Sequence, residues 1–291
     1  MMIREPVIAG SWYPGSKDAC ARAVERMRPK EAPAELPERP VAAIVPHAGW
    51  QFSGATATAA LDAIRSRRTP KTFVIFGFSH RRPVRQSAVF ASGGWETPMG
   101  IIEVDERLAR EILARAPDLA ADNPRVHEDE HSLEIQVPII QHLFPGAKIV
   151  PVITAQTAEA VALGRIVGQT IGDLEADAVC IGSTDLTHYG TGYGFAPAGT
   201  GAAAIRWMRD ENDRRMVDLM LRLDAEGALP EAHEHSNACG PGAIAATLSA
   251  ARTLGAKRGC LVRYTTSYDV MLEDTGRADA SMAVGYAGMV F

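Results

Sequence analysis

Short runs of consecutive apolar residues alternate along the chain with stretches of helical spacing. Val41–Val45, Thr72–Phe78, Lys148–Thr154 and Asp177–Gly182 are apolar at nearly every position, the pattern of strands buried on both faces. Ser87–Ala91, Cys260–Thr266 and Met282–Phe291 read as further strands. Helices are predicted from Gly54 to about Arg67, over Asp105–Ala116, from near Thr157, from about Gly201 to Leu223, and over Pro241–Leu254. Asp105 is a good helix-capping residue, Pro117 stops that helix, and Gly255 ends the last one. Apolar strands separated by helices predict an α/β fold, a three-layer α/β/α arrangement around a mostly parallel or mixed central sheet. No helix is predicted between the last two strands, so the sheet is expected to be mixed at one side.

No internal repeat interrupts this pattern. Pro29–Pro40 holds four prolines and several charges, but it lies too near the N-terminus to separate two domains. It reads as a surface connection, and one domain over residues 1–291 is expected. The 291 residues are 46% hydrophobic and 22% charged, ordinary for a globular protein. Thirty Lys and Arg against 35 Asp and Glu give a net charge of −5, without the basic excess that nucleic acid or an anionic membrane would select. The four cysteines, Cys20, Cys180, Cys239 and Cys260, include no CxxC pair. That argues against a secreted disulfide scaffold and for a reducing cytoplasm. The first residues lack a sustained apolar signal segment, and no apolar run approaches a membrane span. A soluble cytoplasmic protein is expected, with no nucleic-acid or membrane partner.

Strands of open α/β sheets deliver functional groups at their carboxyl ends. His47 follows the Val41 strand, His80 follows the Thr72 strand, and Asp185 and His188 follow the Asp177 strand. Cys239 lies just before the Pro241 helix, where a helix N-terminus is expected to lower a thiol pKa. Three histidines, an aspartate and a cysteine thus arrive at what the pattern makes one edge of the sheet. A further cluster, His127–Glu134, opens a helical pattern in which His131 and Glu134 share a face. Ser132 or Asp129 is a candidate cap, and Pro138 requires a kink or a restart. The plain readings are that His142 and His233 are ordinary structural or surface residues, that Cys20, Cys180 and Cys260 are small buried hydrophobes, and that the acids at 128–130 are a solvated helix start. There is no P-loop, no HExxH and no complete nucleophile elbow, since Arg81 stands where the elbow needs glycine. Gly199–Ala204 matches a GxGxxA pattern but does not follow a strand.

Six stretches in order resemble the Memo family: Ala9–Pro14, Pro46–Gly49, Phe78–His80, Glu128–Glu134, Ser183–His188 and Cys239–Gly240. That family's prokaryotic members are labelled protein B of the AmmeMemoRadiSam system. The resemblance implies a fold like the class III extradiol dioxygenases, which hold Fe(II) with two histidines and a glutamate. Memo proteins place cysteine at the third position, so the resemblance implies His47, His80 and Cys239 as metal ligands. It further implies Asp185 and His188 as pocket residues, with His188 near the place of the dioxygenase general base. His131 and Glu134 would help to wall the pocket, with His131 grouped among the catalytic candidates.

Two imidazoles and a thiolate make a softer site than a two-histidine, one-carboxylate triad, which favours Cu or Zn relative to Fe(II). Ring cleavage therefore does not transfer with the fold. The leading expectation is a dioxygenase-like oxidoreductase using Fe(II) or Cu, with Zn as a further metal, on a small organic substrate. The alternative is a binding or adaptor protein that uses the same pocket for a peptide or for an AMMECR1-like or radical SAM partner. A third reading is a metal-free hydrolase with Cys239 as nucleophile, His188 as base and Asp185 as orienter. The glycine-rich Gly190–Gly201 reads equally as a lid or a surface loop.

Overall fold

The computed structural model describes residues 2–31 and 35–291. The middle of the Pro29–Pro40 connection, residues 32–34, lies outside the described residues. Twelve strands occur among the described residues: β1 (Ile3–Arg4), β2 (Ala42–Val45), β3 (Thr72–Gly77), β4 (Ser87–Val89), β5 (Gly94–Thr97), β6 (Gly100–Glu103), β7 (Ala120–Asp122), β8 (Lys148–Ile153), β9 (Ala178–Ser183), β10 (His188–Gly190), β11 (Cys260–Thr266) and β12 (Met282–Val290). The helices are α1 (Lys17–Met27), α2 (Ala55–Arg65), α3 (Glu106–Arg115), α4 (Val137–Leu143), α5 (Glu159–Asp173), α6 (Ala202–Trp207), α7 (Arg214–Leu221), α8 (Ala228–His235), α9 (Pro241–Thr253) and α10 (Ser267–Thr275).

Nine strands form one mixed sheet in the order β10-β12-β2-β9-β3-β8-β4-β7, with β11 also paired to β12. The centre, β2-β9-β3-β8, is parallel. Every position of β2, β3 and β9 is buried, as their continuous apolar runs predict. β4 and β12 run antiparallel to their central neighbours, so the sheet is mixed on both sides, not one. β1, β5 and β6 form a small separate sheet.

Helices cover both faces, and two glycines show how. Met289, Ile44 and Gly182 are register partners and so share a face. A Cβ on Gly182 would meet Thr247 of α9, while one on Gly288, on the opposite face, would meet Thr56 and Ala60 of α2. Helix α9 therefore packs closely on one side, backed by α5, and α2 on the other.

Asp105 caps α3 by accepting from Leu108 N–H, as predicted. Three expected elements differ. Helix α10 stands between the two terminal strands, started by Thr266, whose hydroxyl accepts from Asp269 N–H. That nine-residue helix is weakly patterned and has no buried residue, which is why apolar periodicity did not announce it. The long helix expected from Gly201 to Leu223 is broken by a π-helical segment, Met208–Asp213, between α6 and α7. The segment at His131 is a turn leading through a 3₁₀ stretch, Glu134–Gln136, into α4. Pro138 lies in the first turn of α4, so it marks a restart and not a kink.

Candidate metal centre

The carboxyl ends of β2, β9 and β3 lie side by side, and each is followed by a polar turn. His47 follows β2, Thr184–His188 follow β9, and His80 follows β3. His131 reaches the same point from the turn before α4. One ring nitrogen from each of His47, His80 and His131 lies within 4.8 Å of the others. The His80 and His131 rings stack at 4.1 Å, and His47 meets each of them edge-on.

Counting protons fixes which nitrogens face inward. Ser183 has one hydroxyl proton and donates it to Ser132 C=O at 2.6 Å. Gln136 Nε2 also donates to Ser183 Oγ, so His47 Nδ1, at 3.2 Å, must donate as well. His47 Nε2 then presents its lone pair inward, where the Cys239 thiol is its hydrogen-bond neighbour. Likewise His80 Nδ1 donates to Glu130 Oε1 at 2.9 Å, so Nε2 is the ring nitrogen left for a ligand. An imidazole whose outer nitrogen is held by a carboxylate or hydroxyl is oriented and made more basic for a metal.

Glu130 is the organiser of this wall. It is fully buried and accepts from the backbone N–H groups of His80, His131 and Ser132. Burial pushes its carboxyl up, but the His80 ring and these N–H donors outweigh that and hold it near 2. The expectation of a solvated acid run fails for Glu130, while Glu128 is exposed. Burial, reinforced by the neighbouring rings, holds His47 well below the usual imidazole range and His131 at about 4. These rings are neutral at pH 7, as metal ligation requires.

Cys239 stands beside the trio, its Sγ 3.3 Å from His47 Nε2. It also accepts from Asp185 N–H. Burial and the Asp185 charge push its thiol pKa up, so the helix start at Pro241 does not prevail as expected. Asp185 Oδ1 accepts from His47 N–H at 2.7 Å, and burial raises its carboxyl to about 7. Its Oδ2 lies 3.9 Å from His188 Nε2. That nitrogen is buried and has no hydrogen-bond partner, and burial holds the ring at about 4. All six residues singled out in sequence, His47, His80, His131, Asp185, His188 and Cys239, therefore converge, and the distances group His131 with the other two histidines.

Glu134 points away from the cavity. It forms a buried ion pair with Arg4 at 2.6 Å and accepts from Val7 N–H, Ile8 N–H and Tyr13 O–H. The Arg4 guanidinium also donates to the carbonyls of His127 and Glu130. The N-terminal segment is thus tied to the turn that carries His131, and Trp12 comes to rest 4.5 Å from that ring. Sequence reasoning missed Arg4. A lone early arginine has no motif, and its partners lie more than 120 positions away.

Asp213 was missed too. It accepts from both the N–H and the hydroxyl of Thr187, and from Tyr264 O–H. Gly285 faces it, where a Cβ would lie 1.9 Å from Asp213 Oδ2. The π-helical segment ends at Asp213 and turns it under the Thr184–His188 loop. Such insertions recur at functional sites, but apolar spacing does not reveal them.

Of the remaining residues, Cys260 departs from the expected buried hydrophobe and is only half-buried. His142 pairs with Glu25 at the surface, and Cys20 and Cys180 are buried. Gly190–Gly201 is a bonded loop, with Tyr189 O–H donating to Gly199 C=O. Its Tyr193 lies 5.1 Å from the His188 ring.

The three histidines, Asp185, His188 and Tyr193 line a cavity of about 1570 Å³. Fold and site together define an α/β protein with a possible three-histidine metal site at the carboxyl edge of a mixed sheet. The profile of Memo-like proteins matches residues 4–290, and the chain belongs to the Memo family. It is 36% identical to a MEMO1 family protein of Thermococcus onnurineus, over 100% of this chain and 99% of that one. It is 37% identical to one of Thermococcus kodakarensis, with the same coverage. A crystal structure of an uncharacterized protein from Escherichia coli K12 shares the fold, with a TM-score of 0.52 at 12% identity, over 86% of this chain and 99% of that one. Among the described residues no helix is long and apolar enough to cross a membrane.

Proposed function

We propose that the protein is a metal-dependent oxidoreductase that binds Fe(II) or Cu between His47, His80 and His131 and acts on a small organic substrate in the adjoining cavity. The observation that carries this reading is the convergence of three imidazoles, two with their outer nitrogens already engaged. Such a donor set suits iron, copper or zinc. When bound, a redox metal would supply electron transfer and open coordination positions. Cys239, next to His47, is positioned to join as a further ligand once deprotonated.

The chain's own groups then have distinct tasks. The His188 ring lines the cavity, with its buried Nε2 unpartnered, and would take a proton from a substrate hydroxyl. Asp185, fixed by His47 N–H, would stabilise the imidazolium so formed. Trp12 and Tyr193 would flank the substrate and exclude water. A hydrolase built on Cys239 and His188 is disfavoured, because the thiol is bonded toward His47 and its pKa is raised.

The test is oxygen uptake by the Fe(II)- or Cu(I)-loaded protein across a panel of catechols and other small phenols. Uptake is expected for at least one compound and should fall about 100-fold in His188→Gln, within the range removed with a general base, while bound metal stays unchanged. Equal uptake by His188→Gln and wild type would contradict the assignment. The second reading, a binding or adaptor protein, draws on the size of the cavity. Full metal loading without turnover, together with saturable binding of a peptide or of a co-encoded AMMECR1-like or radical SAM protein, would favour it.

A further inference from the structure

The lining of the cavity extends beyond the histidines, and we call this further part its second lobe. It lies beside β11, two strands over from β2, between the Trp50–Gly54 turn, the start of α2, and α10. Its walls are apolar, formed by Ala23, Met27, Phe52, Val270 and Met271. Arg263 of β11 also lines it.

Arg263 is half-buried. Its register on β12 slips by one residue between Leu261 and Arg263, a bulge at Val262. Bulges near functional sites re-aim side chains, and this one puts neighbouring residues to opposite uses. Tyr264 turns toward Asp213 on one face, while Arg263 takes the cavity face shared with Tyr286. The residue opposite Arg263 is Gly288, over which Thr56 and Ala60 of α2 pack closely. Among the described residues the Arg263 guanidinium takes part in no ion pair and no hydrogen bond. Five donors in a fixed fork therefore meet the cavity without an acceptor.

The other charged residues of this lobe, Arg26, Glu273, Asp274, Arg277 and Asp279, are all exposed at its rim. Three acids against two arginines leave the rim slightly negative. A doubly charged phosphate entering there would be repelled. A single carboxylate matches the fork of Arg263 and carries the smaller penalty.

We infer that this lobe binds the carboxylate end of an elongated organic acid, with Arg263 as the recognition residue. The apolar walls take the ligand's stem, and its other end reaches toward the histidines. The inference rests on reading the cavity as the ligand site, but not on the metal, so it is tested on metal-free protein without turnover.

The experiment titrates the metal-free full chain with 4-phenylbutyrate, the neutral 4-phenylbutyramide and 4-phenylbutylphosphonate. Binding is followed on the Arg263 Nε–H resonance, assigned by its loss in Arg263→Gln, and by calorimetry. A guanidinium–carboxylate contact predicts that the acid binds about ten-fold more tightly than the amide and moves the Arg263 signal. Arg263→Gln should erase that preference, and Arg263→Lys should keep part of it. Equal binding of acid and amide, or no binding of either, would overturn the inference. So would an unchanged preference in Arg263→Gln. Tighter binding of the phosphonate would overturn the carboxylate assignment. If Arg263→Gln does not fold, the wild-type resonance and Arg263→Lys still decide the outcome.

Discussion

Ser183 has one hydroxyl proton, and the structure spends it on Ser132 C=O. Everything else at His47 Nδ1 follows, because only a donating Nδ1 satisfies that oxygen. Ser183→Ala removes the acceptor and frees the ring to rotate or change tautomer. Metal affinity should drop roughly 10–100-fold, the usual effect of deleting a residue that orients a ligand. Isothermal titration with Zn(II) checks this, and an affinity equal to wild type would contradict the tautomer assignment. His47 and His80 were legible in sequence because each directly follows an apolar strand. Ser183 and Glu130 were not, since their roles depend on partners 136 and 50 positions away.

At the scale of elements, the site is a meeting of three strand ends held by two polar clamps. Arg4 and Glu134 clamp the N-terminal segment to the turn bearing His131. Arg4→Ala leaves a buried carboxylate without its cation, a change that costs about 3–5 kcal/mol. Thermal unfolding should show that loss, and hydrogen exchange should quicken first over residues 7–13. Uniformly quickened exchange would mean that Arg4 supports the whole fold and not this segment. Asp213 is the second clamp, under the Thr184–His188 loop. The backbone N–H groups of Thr184, Asp185, Leu186 and Thr187 each bond to a different place: Val45, Cys239, Gly285 and Asp213. Gly285→Ala pushes a methyl group into Asp213 and should cost about 1–3 kcal/mol, typical of overpacking. A chemical-denaturation midpoint equal to wild type would show that Asp213 has room to move.

The elements themselves were largely readable. Central strands such as Thr72–Gly77 are continuous apolar runs, and α3 carries its own cap and stop. What escaped has a physical reason in each case. Helix α10 buries nothing and so has no apolar stripe. The π-helical segment differs from an α-helix by one residue per turn, too little to disturb the spacing of Met208, Met216 and Met220. The antiparallel direction of β4 depends on its pairing with β8, which local sequence does not encode.

For the molecule as a whole, the buried histidines set the acid limit of stability. His127, His131 and His188 sit at about 3, 4 and 4, and His47 is also lowered, against about 6.5 in the unfolded chain. Between about pH 4 and 6.5 the unfolded state therefore binds more protons, and stability rises with pH. Asp185 and Asp213, raised to about 7 and 6, act in the opposite sense, but two groups oppose four. The metal-free protein is expected to melt lower near pH 5 than near pH 6.5 in calorimetry. An equal or higher melting temperature near pH 5 would show that the aspartates dominate.

The account turns on one point, that the histidine trio is a metal site. Anaerobic loading with Fe(II), Cu(I) and Zn(II), read as bound metal per chain, tests it most directly in wild type, His80→Ala and Cys239→Ala. One metal per chain is predicted for wild type and none held tightly by His80→Ala. Loss in Cys239→Ala as well would add the thiol to the ligand set, and retention would leave the three imidazoles as the site. Wild type that takes up no stoichiometric metal, or His80→Ala that keeps it, would contradict the account.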